Sequence, residues 1–200
     1  MTELKKLINM ITEQYEIINS EWLNNHKKIN MRKLRVSNIY NNQDFLSYVH
    51  EYREFLSTKV KEMTDKIVIS SFENKIYTRI KTSNSVEYKL YNYMKNHENG
   101  KIPVNKCLND LFGIRMIFNR NVTYDEIDGF IKNDFPKLKC IKSIKKDYNA
   151  IHIYFGNDNN YYFEWELQIW DVLHEESNLV SHNKYKQDYI IWENNKAKGE

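Results

Sequence analysis

The sequence predicts an α/β fold, a mixed sheet of about five strands flanked by helices, with a helical layer at its N-terminus. Three observations predict it. Apolar residues recur every three or four positions through the first part of the chain. Beyond Phe72 they fall into short alternating or β-branched runs, and helical stretches separate those runs.

The first helix is read from Leu4, Leu7, Ile8, Ile11, Tyr15, Ile18 and Trp22, which line one face at the helical period. After a polar stretch from Asn24 to Asn42, Phe45, Leu46, Val49, Tyr52, Phe55, Leu56, Val60 and Met63 repeat the pattern. The runs IYTRIK, LFGIRMIF, AIHIYF and YYFEWELQI then have the length and the aromatic and β-branched content of strands. Helices are expected over Asn84–Lys95 and Thr123–Asn133, and from Asp171 to about Val180. The chain thus divides into a helical region over residues 1–70, an α/β domain over 71–192 and a tail over 193–200. Asn24–Asn42 and the final NNKAKGE have the composition of mobile segments. The faces around Trp22 and Tyr52 could bury against the sheet or against a second copy of the chain in a homo-oligomer.

Two hundred residues make one ordinary domain and leave little room for a second catalytic one. Hydrophobic residues at 41% and charged residues at 28% are those of a globular chain. Cys107 and Cys140 have no CxxC spacing, as expected of reduced thiols in a cytoplasmic protein. Charges interrupt every apolar run of MTELKKLINMITEQYEI, so neither a secretory signal nor a membrane partner is expected. A net charge of +3 does not by itself argue for a polyanionic partner, because clustering of the lysines decides that.

The strand period puts Tyr77, Arg79 and Lys81 on one face of IYTRIK. The helix after it is read with Asn84 as N-cap and Glu87 in a capping-box relation, with Ser85 and Lys89 one turn apart near its positive end. Two cations at a strand end, with a hydroxyl and a lysine at a helix start, suit a polyphosphate; a solvated edge strand gives the same pattern. In YYFEWELQI, alternation sets Glu164, Glu166 and Gln168 against Phe163, Trp165, Leu167 and Ile169. An antiparallel strand with its polar face in water would read alike. Asp110, just before LFGIRMIF, could join Glu166 in holding Mg²⁺, which needs one or two carboxylates beside substrate phosphates.

Taken in order, these segments resemble the synthetase domain of the RelA/SpoT homologue family, small alarmone synthetase type. Arg79-Ile80-Lys81-Thr82-Ser83-Asn84-Ser85-Val86-Glu87-Tyr88-Lys89 resembles its RxKxxxSxxxK signature, and Asp110-Leu111-Phe112-Gly113-Ile114-Arg115 its D-hydrophobic-x-G-hydrophobic-R. Tyr148-Asn149-Ala150-Ile151-His152 is similar to the end of the acceptor-binding G-loop, Glu166-Leu167-Gln168-Ile169 to the ExQ strand, and His182-Asn183-Lys184-Tyr185-Lys186 to a C-terminal HxxYK. The resemblance implies a nucleotidyltransferase-like domain that moves the β,γ-pyrophosphate of ATP to a ribose 3′-hydroxyl, with Mg²⁺ as cofactor. It implies that Arg79, Lys81, Ser85, Lys89 and Arg115 hold ATP, by phosphate contacts or by stacking on adenine. Asp110 and Glu166 would bind the metal, with Glu166 also, or instead, the general base. Tyr148 would stack on the acceptor base, with Gln168, Asn149 and His152 shaping that pocket. His152 reads equally as a hydrogen-bonded sheet histidine, and His182 and Tyr185 as packing residues.

Departures from the pattern bear on the acceptor. Asp147 stands where the family has glycine, and Trp170-Asp171 where arginine-threonine is expected. Lys142, Lys145 and Lys146 crowd ahead of Tyr148, and Lys27, Lys28, Arg32, Lys33 and Arg35 form a second basic patch. Both could follow a nucleic-acid backbone, although loop lysines are commonly just solvated. This combination resembles the toxic branch of the small synthetases, which implies the tRNA 3′ end as acceptor and an antitoxin protein as partner. The alternatives are a synthetase of (p)ppGpp from GDP or GTP, a nucleotidyltransferase that releases pyrophosphate, and a non-catalytic nucleotide- or tRNA-binding module.

Overall fold

Strand pairing fixes the architecture. The computed structural model describes residues 1–156 and 159–198, with side chains except at positions 68, 185 and 196–198. Five strands, β1 (Lys75–Ile80), β2 (Phe112–Phe118), β3 (Lys139–Lys145), β4 (Tyr148–Phe155) and β5 (Trp165–Asp171), form one sheet in the order β1-β2-β5-β4-β3. Only β2 and β5 run parallel; the other pairs are antiparallel. The parallel pair occupies the middle of the sheet, and every residue of β5 is buried. The polar face of β5 is therefore turned into the protein, not into water.

Helix α1 (Thr2–Asn25) and helix α3 (Gln43–Ile69) bear out the two long periodic stretches and cover one sheet face. Their apolar stripes join Phe112, Leu167 and Trp165 in the main core. The Trp165 indole donates to the Tyr52 hydroxyl at 3.0 Å, and Tyr52 donates to Asn19 at 2.9 Å, so these three buried side chains are linked. Trp22 and Tyr52 are buried within the chain, at 2% and 0% exposure, which settles their faces in favour of the sheet and leaves them no surface for a second copy.

On the opposite face lies α7 (Glu175–Lys198); α4 (Ser83–Asn96) packs against it through Tyr88 while putting Val86 and Leu90 into the main core, and α6 (Tyr124–Asp134), the helix expected over 123–133, joins that core through Ile127 and Ile131. A smaller apolar cluster of Ile117, Ala150 and Trp170, with Tyr148 against it, belongs to the α7 face. Among the described residues no helix is long and apolar enough to cross a membrane. Cys107 is buried and Cys140 half-buried, both as free thiols.

The structure corrects four local expectations. The lysines ahead of Tyr148 are not all in a loop: Lys142 and Lys145 belong to β3, an edge strand whose charges suit an unpaired border, and only Lys146 sits in the turn. The stretch 24–42 is anchored. Met31, Val36 and Ile39 are buried, α2 (Val36–Ile39) forms within it, and its backbone bonds to residues just before and within α5 (Val104–Cys107), as in Val36 N–H to Ile102 and Val104 N–H to Leu34. The N-cap of α4 is Thr82, whose side chain accepts from the Ser85 N–H at 3.4 Å; Asn84 instead bonds Glu193 of α7. Finally, α7 starts at Glu175 and runs to Lys198, through most of the stretch expected to be a mobile tail, whose last residues, 199 and 200, lie outside the described residues.

Candidate active site

Strand register assembles the site. Arg79, Gly113, Glu166 and Tyr154 are consecutive partners across β1, β2, β5 and β4, and two residues along each strand lie Tyr77, Arg115, Gln168 and His152. Neighbours in register project from the same face, so cations from one edge meet carboxylate and phenol from the middle. Gly113 matters by lacking a side chain. A Cβ there would sit 3.4 Å from Nε of Arg79, so a methyl is about the largest group the row admits without displacing that arginine.

Lys81 follows β1 on the Arg79 face, and Ser85 and Lys89 project from the first turns of α4. Their common anchor is Asp110, 7% exposed, two residues before β2. Lys81 donates to Oδ2 at 2.7 Å and Lys89 to Oδ1 at 2.9 Å, with Arg79 Nη2 3.8 Å from Oδ2. Burial opposes ionisation of Asp110, but Lys81, Lys89 and Arg79 outweigh it and hold its carboxyl well below the usual carboxylate range. Burial drives Lys81 down despite Asp110, whereas for Lys89 the attraction of Asp110 overcomes burial and raises it. One carboxylate thus holds an excess of positive charge in place, an arrangement built to receive a polyanion.

Glu166 is 4% exposed and is hydrogen-bonded at both carboxylate oxygens. Its Oε1 receives the Tyr154 hydroxyl at 3.1 Å and lies 2.9 Å from Nδ1 of His152, and Gln168 Nε2 donates to Oε2 at 2.7 Å. Burial pushes its pKa up, yet His152 and Gln168 carry it below the ordinary value, so it stands as a carboxylate. The Tyr148 hydroxyl meets Nε2 of His152 at 2.8 Å. Burial, with Glu166 nearby, raises Tyr148 to about 12, so it remains a neutral phenol.

These groups line one cavity of about 580 Å³ with Arg79, Lys81, Ser85, Lys89, Asp110, Lys145, His152, Glu166 and Gln168 on its wall. A second cavity of about 320 Å³ adjoins it, sharing Arg79, Gln168 and His182 and adding Tyr77, Arg115, Ile117 and Leu179. Asp110 and Glu166 offer hard oxygen donors to the same space, and no cluster of three His, Cys, Asp or Glu side chains exists among the described residues. That donor set fits Mg²⁺, which accepts one or two carboxylates when phosphates complete its shell.

Several predicted residues lie elsewhere. Asn149 ties β4 to α7: its backbone N–H donates to Asn178 Oδ1 at 2.7 Å and its amide meets His174 at 3.1 Å. Lys146, Lys27 and Lys28 are exposed and do not line the cavity. Tyr148 reaches it through His152. The Tyr185 side chain lies outside the described residues. Other wall residues carried no signal of their own in the sequence, among them Asn109, Tyr93, His97 and Tyr189. Tyr154 was findable, because strand alternation puts it on the same face as Tyr148 and His152, which the family resemblance had picked out.

His182 of α7 closes the space between the two cavities. Arg79 Nη1 donates to its Nε2 at 2.7 Å, which requires a neutral imidazole with its proton on Nδ1. Burial and the charges of Arg79, Arg115, Lys186 and Lys81 lower its pKa from 6.5 to about 4. The unfolded chain therefore binds a proton below about pH 6.5 that the native protein refuses until about pH 4. Its contribution to stability is complete above that window and is lost as pH falls through it. Denaturant unfolding of wild type and His182→Gln between pH 7 and 4 should show a shallower acid-side decline for the variant; identical slopes would contradict the assignment.

No protein-family model matches this sequence, and no curated protein matches it. Among solved structures, it is similar to the small alarmone synthetase 1 from Bacillus subtilis, at 15% identity over 74% of this chain and 80% of that one, with a TM-score of 0.41. It is similar also to a GTP pyrophosphokinase family protein from Streptococcus pneumoniae, at 14% identity over 72% and 76% of the two chains, TM-score 0.42. The Bacillus subtilis synthetase bound to AMPCPP gives 15% identity over 73% and 79%, TM-score 0.37.

Proposed function

We propose that this chain is an ATP-dependent pyrophosphokinase of the small alarmone synthetase type, transferring the β,γ-pyrophosphate of ATP to a ribose 3′-hydroxyl. The observation that carries the reading is the shared cavity in which Lys81, Lys89 and Arg79, held by Asp110, face Glu166 across the sheet. Arg79, Lys81, Ser85 and Lys89 bind the triphosphate, and Arg115 in the adjoining apolar cavity stacks on adenine. Asp110 and Glu166 would hold Mg²⁺, which when bound offsets phosphate charge and polarises the β-phosphoryl group.

Transfer is then mostly positioning and charge neutralisation. The acceptor 3′-oxygen forms a bond to the β-phosphorus while the bond from that phosphorus to the α–β bridging oxygen breaks. AMP leaves with the bridging oxygen, and the hydroxyl proton passes to Glu166. Tyr154, His152 and Gln168 keep that carboxylate ionised and aimed.

As acceptor we favour the tRNA 3′ end. Lys145 lies on the cavity wall, and Lys146 continues its positive charge into the turn after β3, whereas Lys142 projects from the other sheet face. Lys27 and Lys28 add exposed charge at the end of α1. A pyrophosphorylated 3′ end cannot be aminoacylated, so this acceptor makes the chain a toxin that needs an antitoxin partner. The test is incubation with γ-labelled ATP and GDP, GTP or deacylated tRNA. Label on tRNA alone is expected. Label on guanine nucleotides alone would replace the acceptor with GDP or GTP, and label on none would leave a nucleotide- or tRNA-binding module.

A further inference from the structure

Trp170 belongs to none of the motifs above, yet it touches both halves of the site. The Arg115 guanidinium carbon lies 3.6 Å from the centroid of its ring, a stacking distance. The Tyr148 ring stands edge-on to the same indole, with centroids 6.1 Å apart and planes at 84°. Trp170 is 1% exposed and is not part of either cavity wall, whereas Arg115 lines the apolar cavity. Arg115 therefore lies between the indole and the open space, backed on one face and presented on the other.

The remaining restraints on Arg115 are weak. Its Nε and Nη2 reach Gln168 Oε1 at 3.4 and 3.3 Å, at the long end of the hydrogen-bond range. Arg79 repels it from across the cavity wall they share. Glu166 attracts it without a direct bond, so the ring beneath it is the contact that fixes the plane of the guanidinium.

We propose that Trp170 is a positioning residue for the adenine of ATP, its indole fixing the plane of Arg115 so that the outward guanidinium face is preset for stacking. This rests on the pyrophosphokinase reading for the identity of the base. It deepens that reading by giving a role to the position at which the chain departs from its family pattern. Substitution here spares the main core, because Trp170 belongs to the separate small cluster on the α7 face. Phenylalanine keeps an aromatic face beneath Arg115 and loses only the indole N–H, which stands beside the Tyr148 side chain.

The experiment measures ATP affinity by calorimetry, and KM for ATP and kcat by product formation, for wild type, Trp170→Leu, Trp170→Phe and Arg115→Lys. Leucine keeps apolar bulk without a π face. It should weaken ATP binding and raise KM about tenfold with kcat within about threefold, and phenylalanine should raise KM only about threefold. The effect of phenylalanine should vanish in the Arg115→Lys background, where no planar cation remains to be held. A merely structural residue would lower thermal stability and the active fraction without a selective rise in KM. Unchanged ATP affinity in folded Trp170→Leu would overturn the proposal. Should that variant not fold, Trp170→Phe decides, and an unchanged or Arg115-independent affinity overturns it. Wild type that binds ATP without product refutes the pyrophosphokinase reading while the calorimetric arm still tests Trp170; wild type that binds no ATP refutes both.

Discussion

Glu166→Gln is expected to reduce pyrophosphate transfer about 10³-fold while ATP affinity stays within about threefold. The amide is nearly isosteric and keeps an oxygen to receive the Tyr154 hydroxyl, so the wall of the cavity should persist. What it loses is the ability to take the proton of the attacking hydroxyl. It also loses its charge, and with it any full share in holding a divalent ion. Assays of product at saturating ATP, beside calorimetric titration of ATP, separate the two. Unchanged product from the glutamine variant would remove Glu166 from the chemistry, and lost affinity with a normal rate at saturation would make it a binding residue only.

Asp110→Asn has the second large effect, and it falls on stability as well as on activity. The carboxylate is the partner of Lys81, 6% exposed, and of Lys89, and removing it strands buried positive charge. Breaking such a pair by taking away one partner costs about 3–5 kcal/mol. For a chain of this size that lowers the melting temperature by roughly 6–20 °C. Transfer should fall about 10²-fold as the lysines lose their fixed positions. ATP should restore part of the stability, because its triphosphate replaces the missing negative charge. The melting shift on adding ATP is therefore expected to be larger for the variant than for wild type. A smaller shift would mean that Asp110 does not organise the lysines for phosphate.

The long helices were legible because their apolar residues repeat at the helical period and face one core. Residues 24–42 were not, since Met31, Val36 and Ile39 are scattered among polar residues and their segment is fixed by backbone bonds to a distant one. Strand β3 was hidden for another reason. KCIKSIK carries lysines because it borders the sheet, and the same composition describes a solvated loop. Motif order led to the cationic cradle and to Glu166, but not to which side of the sheet is open. That depends on α7, whose inward residues His182, Lys186 and Tyr189 are polar and leave no apolar stripe to read. The pairing of Arg115 with Trp170 was likewise invisible, because it depends on strand register.

The stoichiometry of ATP turnover with the true acceptor decides between transfer of pyrophosphate and transfer of AMP. Chromatography of the reaction should show one AMP formed for each acceptor that gains two phosphates, with no free pyrophosphate. Release of pyrophosphate with AMP left on the acceptor would contradict the account, because it would place the attack at the α-phosphorus.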